Sequence, residues 1–272
     1  MTWILAHENH AIERVSVTFV LSGDVSSKPW NEISKAMTTR LNLDGFVAIG
    51  VPGGPPLGFQ PGTFVFGNPG DLRFTRSEGG QVLEEIAISP RYFTYTTHRY
   101  HRWAGFRLRA LTLAAPFLNK SLEIESLLVV KMEYWDRFMW SGDVGAVNYS
   151  SLLNLESSLI PSYIFDLKGL FHLHSGYFCA ADHVARRLIN FNLDSLDIAT
   201  PAQVTQPGEA PKSMRSVAIY TMLQDNLSPG HSSDDDSAFG LDSIHDTLKK
   251  LLSRIISPEI AEKIALNAGR DV

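Results

Sequence analysis

Residues 171–183, FHLHSGYFCAADH, concentrate side chains that can bind a metal ion. His172 and His174 are two residues apart, a spacing that places both side chains on one face of a β-strand, where they can reach one ion. Asp182 and His183 follow closely and offer further ligands. One hypothesis is therefore a metal-dependent hydrolase that uses His172, His174 and His183, with Asp182 as an additional candidate ligand.

A simpler interpretation of this stretch needs no metal. Phe171 and Leu173 alternate with the two histidines, which indicates a strand with an apolar face and a solvated histidine face. Ser175-Gly176 is a two-residue turn sequence, so residues 162–179 are predicted to form a β-hairpin whose first strand includes Phe165. We therefore assign no metal ion and no cofactor from the sequence.

Motifs for other reactions are missing from the sequence. It contains no G-x-S-x-G, no H-E-x-x-H and no phosphate-binding loop ending in Gly-Lys-Ser/Thr. Cys179 is the single cysteine, which excludes an intramolecular disulfide and suits a reducing compartment. The sequence thus favours a protein that is not an enzyme.

A basic cluster lies in RYHRWAGFRLR, residues 99–109. Its four arginines support a second alternative, a nucleic-acid-associated protein. The chain as a whole carries 24 basic and 29 acidic residues, a net charge of −5. Since nucleic-acid binding rests on excess positive charge, we expect the arginines to form a solvated helix face.

Composition and local patterns predict an α+β protein. Hydrophobic residues make up 44% and charged residues 19%, as in globular proteins. Alternating patterns predict strands at 15–21, 81–95, 127–140, 186–198 and 217–223. Helical spacing predicts helices from residue 26 to 45, from 103 until Pro116 kinks or ends it, and from 241 to 255. In the third helix the apolar residues that share one face are Leu241, Ile244, Leu248, Leu251, Leu252 and Ile255.

The order of these elements predicts two related lobes, 1–148 and 149–272. Each lobe would pack antiparallel strands against an amphipathic helix, and one continuous domain is the alternative. Polar segments at 200–212 and 228–240 are predicted linkers. No signal peptide and no apolar stretch long enough to cross a membrane is evident, so we expect a cytoplasmic protein without a membrane partner.

Three stretches together resemble a sporadically distributed family of uncharacterised bacterial proteins of similar length. They are Tyr100-x-x-Trp103 before a helix, the strand MEYWDRF at 132–138, and the amphipathic helix near the C-terminus. Tyr134 and Arg137 match the family's strand motif, L-R-Y-I-N-R-I, and Asp136 stands where the family has asparagine. The resemblance implies an intracellular bacterial α+β protein of unknown activity, from mobile or defence-associated gene neighbourhoods.

These observations favour a binding or interaction protein, with a protein as the expected partner. Aromatic residues are common in interface cores, and those in the family-like stretches are the candidates. The candidate binding residues are Tyr100, Trp103, Tyr134, Asp136 and Arg137.

Overall fold

A computed structural model of the chain describes residues 2–7, 10–49, 71–181, 184–199, 213–228 and 239–266. Within these ranges it contains ten strands and four helices. The strands are β1 (Trp3–Leu5), β2 (Ile12–Leu21), β3 (Val47–Ile49), β4 (Leu72–Glu78), β5 (Gln81–Ile88), β6 (Tyr92–Thr97), β7 (Leu127–Trp140), β8 (His172–Cys179), β9 (Val184–Ala199) and β10 (Ser213–Leu227). The helices are α1 (Ser27–Leu43), α2 (Trp103–Ser121), α3 (Leu241–Ile255) and α4 (Pro258–Lys263).

The strands form one antiparallel sheet in the order β3-β4-β5-β6-β2-β7-β10-β9-β8, and β1 pairs with the end of β7. Along the chain, β2 and α1 are followed by β5, β6, α2 and β7, with β3 and β4 inserted between α1 and β5. In the sheet the four strands lie in the order β5-β6-β2-β7. This is the split β-α-β connectivity of ferredoxin-like domains.

One face of the sheet, the helix face, carries the core. Alternate residues of β2 and β7, such as Val17, Phe19 and Met132, are fully buried there. Helix α2 contributes Phe106 and Phe117, whose rings lie within about 6 Å of aromatic rings of β6. Helix α3 packs on β10, and α1 packs beside α2.

The intervening residues of each strand form the opposite face of the sheet, which we call the second face. Its polar side chains bond to each other across the strands, as Thr18 does with Thr94 at 3.0 Å. The Arg14 guanidinium lies 3.8 Å from the centre of the Trp135 ring. The second face is therefore a connected polar surface rather than a second core.

The α+β prediction is confirmed, and so is the C-terminal helix. All six of its predicted apolar residues are buried. Strand β7 of the first predicted lobe pairs with β10 of the second over eleven residue pairs, so strands of both lobes share one sheet. The division into two related lobes at residue 148 stays a prediction. The predicted linker 200–212 and most of 228–240 lie outside the described residues.

Three local predictions are wrong. Residues 172–179 form one strand instead of a hairpin, and a Cβ at Gly176 would lie 3.1 Å from the Ile189 carbonyl oxygen. Glycine is therefore needed there for close approach of β9 rather than for a turn. The predicted strand around Phe165 is a 3-10 helix, Ser162–Asp166. Pro116 lies inside α2, which continues to Ser121, so the alternative that it ends the helix is wrong, while a kink stays a prediction.

No helix among the described residues has the length and apolar character needed to cross a bilayer.

Candidate functional site

A cavity of about 550 Å³ lies on the helix face of the sheet, where the first turn of α2 and helix α3 meet β7. Tyr134 and Asp136 of β7 line it from the sheet, and Trp103 of α2 and His245 of α3 line it from the helices. The chain before β2 and the residues that follow α4 complete the lining. We call this space the α2–α3 cavity.

The alternation of a β-strand explains how β7 supplies two of these side chains. Tyr134 and Asp136 are two residues apart and therefore point to the same, helix-covered face. Asp136 lies opposite Ile12 of β2, and Tyr134 lies opposite Thr221 of β10. Both side chains thus occupy the centre of the sheet, where neighbouring strands exclude solvent.

Aromatic and hydrogen-bonding contacts join the two helices to β7. The Trp103 indole stacks on the His245 imidazole with ring centres 4.1 Å apart and ring planes within 4°. Trp103 Nε1 donates a hydrogen bond to Asp242 Oδ1 at 2.6 Å. The Tyr134 hydroxyl lies 2.9 Å from His245 Nδ1 and also bonds to the Tyr100 side chain. These contacts fix the aromatic part of the cavity lining.

Burial determines the protonation of the Tyr134–His245 pair. It lowers the pKa of His245 to about 4, and the nearby Lys249 ammonium acts in the same direction. It also raises the pKa of Tyr134 well above its ordinary value. At neutral pH the pair is therefore a neutral imidazole and a protonated phenol.

Asp136 lacks the partners that a buried carboxyl group normally has. It is only 1% exposed, and its Oδ1 atom has no hydrogen-bond partner among the described residues. Burial, with the neighbouring Glu13 charge, raises its pKa to about 7. Since a buried polar atom without a partner is costly, this atom is the feature of the cavity that a bound molecule would relieve.

A second polar atom of the cavity lining is also unsatisfied. His10 Nδ1 is buried and has no hydrogen-bond partner within the described ranges. The His10 ring lies edge-on to Tyr100, with ring centres 6.0 Å apart. Burial and the His7 charge lower the pKa of His10, while hydrogen bonds with the Tyr100 and Ile12 backbone act against this shift. Asp136 Oδ1 is therefore the clearer polar contact that the cavity offers to a ligand.

Four of the five candidate binding residues, Tyr100, Trp103, Tyr134 and Asp136, line the α2–α3 cavity. Arg137 does not, because it has the opposite parity on β7 and lies on the second face. There it pairs with Glu13 and donates to Ser216 Oγ at 3.0 Å.

Sequence reasoning missed His245, although its position carried a signal. It lies four residues after Leu241 and three before Leu248, within the helical repeat of buried residues in α3. A polar ring at such a position enters the core side of the helix and needs a partner there.

His172 and His174 lie far from this arrangement, on the second face of β8. His172 is exposed and pairs with Asp194 through Nδ1, and His174 lies opposite Asn192 of β9. Asp182 and His183 lie outside the described residues. Among the residues that the structure describes, no group of three or more His, Cys, Asp or Glu side chains is placed to hold a metal ion.

The arginines of residues 99–109 are largely engaged with carboxylates. Arg99 pairs with Glu78, Arg107 with Asp242, and Arg109 with both Glu84 and Asp44. These ion pairs neutralise the local positive charge that nucleic-acid binding would require.

Comparison with known proteins identifies no relative: no protein-family model and no curated protein matches the chain. The family resemblance of the three stretches stays a prediction.

Proposed function

We propose that this protein is a binding protein whose α2–α3 cavity holds a small organic molecule. The observation that carries the proposal is Asp136 Oδ1, a buried acceptor without a described partner, at the edge of a cavity of about 550 Å³. This volume lies within the range of small-molecule sites. The ligand would donate a hydrogen bond to Asp136 and place apolar surface against Tyr100, Trp103 and Tyr134.

The composition of the lining supports a ligand of this kind. Organic ligands are commonly held by apolar and aromatic walls with a few placed polar groups that fix orientation. Here the aromatic residues are held by stacking and hydrogen bonds before any ligand arrives. Preorganisation of this type reduces the entropy lost on binding.

The broader expectations stay predictions beside this proposal. They are a protein partner, a bacterial origin, a cytoplasmic location and two related lobes. The cavity argues for a small molecule as the first ligand to test, since a concave site with a buried acceptor suits a molecule that can enter it.

The proposal can be tested by ligand-observed NMR with a fragment collection. We expect fragments that bind the wild-type protein and are lost in Ala104→Trp, because Ala104 is an exposed residue that lines the cavity on α2. Leu108→Trp is the matched control, since Leu108 is an exposed residue of the same helix outside the cavity lining. Fragment binding that is unchanged by Ala104→Trp, or no fragment binding at all, would refute the proposed function.

A further inference from the structure

We infer that the ligand of the α2–α3 cavity is an organic cation, a protonated amine whose ammonium group pairs with Asp136. The inference rests on the proposed function and names the chemical class of its ligand. It depends on which charges around the cavity are already neutralised, on the aromatic lining, and on what a buried carboxylate requires.

Three carboxyl groups line the cavity, and they differ in their partners. Asp242 accepts a hydrogen bond from Trp103 Nε1 and lies 3.5 Å from Arg107 Nε. Asp246 has an interaction partner as well. Asp136 forms no ion pair with any described basic side chain, although Lys249 and Arg102 belong to the same lining. Asp136 is therefore the carboxyl group of the lining that no described basic side chain neutralises.

Aromatic rings surround that position. Tyr100, Trp103 and Tyr134 all line the cavity with Asp136, and ring faces attract cations through their quadrupoles. The attraction grows when the cation is removed from water, as it would be beside a carboxyl group that is 1% exposed. A carboxylate together with several aromatic rings is a suitable site for an ammonium group.

Other ligand classes fit less well. An anion in the cavity would be repelled by an ionised Asp136. A metal ion requires several ligands, and the described residues place no group of three suitable side chains together. A neutral donor also favours the ionised carboxylate, but it brings no positive charge, so it stabilises the ion less than an ammonium group does. A cation is therefore the ligand that stabilises the Asp136 carboxylate most.

Binding of an amine must therefore be linked to deprotonation of Asp136. In the free protein its pKa is about 7, and a bound ammonium group lowers it. We expect release of about half a proton at pH 7, and affinity that falls about tenfold per pH unit below 7. The charged or titratable groups that face Asp136 or line the same cavity are Glu13, Tyr100, Tyr134, His10, His101, Arg102, Asp242, His245, Asp246 and Lys249.

The test compares tryptamine, which is protonated at neutral pH, with tryptophol, which has a hydroxyl group in place of the ammonium group. Isothermal titration calorimetry at pH 7 in buffers of different ionisation enthalpy gives both affinity and proton release. We expect tryptamine to bind the wild-type protein at least about tenfold more tightly than tryptophol, and to release more protons on binding.

Two variants that make the same chemical change complete the experiment. Asp136→Asn should weaken tryptamine binding at least about tenfold and abolish proton release, whereas Asp194→Asn, on the second face of β9 and outside the cavity lining, should change neither. Thermal unfolding monitored by circular dichroism verifies that both variants fold. Equal binding of the two probes, unchanged tryptamine binding by Asp136→Asn, or no binding of tryptamine would overturn the assignment to a cation. The fragment screen with Ala104→Trp decides separately whether the cavity binds ligands at all.

Discussion

Glu84 and Asp136 are two buried carboxyl groups on the same face of the same sheet, and their surroundings are opposite. They are 4% and 1% exposed, on β5 and β7. Glu84 accepts hydrogen bonds from Arg109 Nε at 3.1 Å, Arg109 Nη2 at 3.2 Å and the Tyr95 hydroxyl at 2.6 Å, and it also pairs with Arg76. Asp136 Oδ1 has no partner among the described residues.

Partners rather than burial determine the charge of these two groups. Burial acts to raise the pKa of Glu84, but hydrogen bonds from Arg109, Tyr95 and Arg76 outweigh it and lower the pKa. Without such bonds, burial raises the pKa of Asp136 to about 7. Glu84 therefore connects elements of the fold, whereas Asp136 keeps an unsatisfied acceptor beside a cavity. This difference is what separates a structural carboxylate from a binding one.

The largest effect is expected from breaking the Glu84 cluster. Glu84→Ala leaves Arg76 and the Tyr95 hydroxyl without this acceptor and leaves Arg109 with Asp44 alone, which should lower the free energy of unfolding by about 4 kcal/mol. Glu85→Ala is the matched control, because Glu85 is the next residue, lies on the second face and pairs with His98 at 2.7 Å. Its loss should cost less than about 1 kcal/mol.

Urea unfolding at pH 7 measures both variants. If Glu84→Ala costs no more than Glu85→Ala, the Glu84 cluster contributes little to stability and the comparison with Asp136 fails.

Removing the charge of Asp136 should raise the free energy of unfolding, whereas Glu84→Ala should lower it. Its folded-state pKa is raised, so its contribution to stability is complete below about pH 4 and is lost as pH rises to 7. The difference of about three pKa units corresponds to at most about 4 kcal/mol at pH 8. Asp136→Asn should recover about 3 kcal/mol of it, because the amide adds a donor that also needs a partner.

Urea unfolding at pH 8 and pH 4 tests this expectation. Asp136→Asn should raise the free energy of unfolding at pH 8 and leave it unchanged at pH 4. Equal stabilisation at both pH values would show that packing rather than ionisation is responsible. A variant that gains stability while losing tryptamine binding would mark Asp136 as a residue retained for function.

His245 sharpens the comparison because its pH dependence opposes that of Asp136. Its folded-state pKa is lowered to about 4, so its contribution is complete above pH 6.5 and is lost as pH falls towards 4. Between pH 4 and 6.5, Asp136 makes stability fall with rising pH and His245 makes it rise. In the wild-type protein these two contributions cancel. Asp136→Asn should uncover the His245 slope, a loss of about 1.4 kcal/mol per pH unit on acidification.

His245→Gln removes the His245 contribution and leaves that of Asp136. Relative to the wild-type protein, the stability of this variant should fall as pH rises from 4 to 6.5. Chemical unfolding at half-unit pH intervals measures both slopes. Parallel curves of stability against pH for the variants and the wild-type protein would contradict the protonation states assigned to Asp136 and His245.

Local patterns predicted much of what these experiments rely on. The apolar repeat of α3 is long and amphipathic, and its six buried residues follow from spacing alone. Alternation along 127–140 places Tyr134 and Asp136 on one face of β7 and Arg137 on the other. Such predictions depend only on the spacing of residues that are close in sequence, so they hold in the folded protein.

The cavity itself had no local signal. It depends on Trp103 stacking on His245, a contact between residues far apart in sequence that only the packing of α2 against α3 creates. The hairpin prediction at 172–179 failed for a related reason. Ser175-Gly176 suits a turn, but pairing of all eight residues with β9 holds the segment extended.

The smallest effect is expected at the histidines of β8, where a third carboxyl group completes the comparison. Asp194 pairs with His172 on the second face, and the His172 side chain is 63% exposed, so the pair is solvated. The double variant His172→Ala, His174→Ala should therefore change the free energy of unfolding by less than about 1 kcal/mol.

Elemental analysis of untagged protein should give the same metal content with and without the two histidines. About one equivalent of a transition metal that is lost in the double variant would instead make the second face a metal site. Tryptamine affinity should be unchanged by the double variant, because both histidines lie on the second face of β8, outside the lining of the α2–α3 cavity.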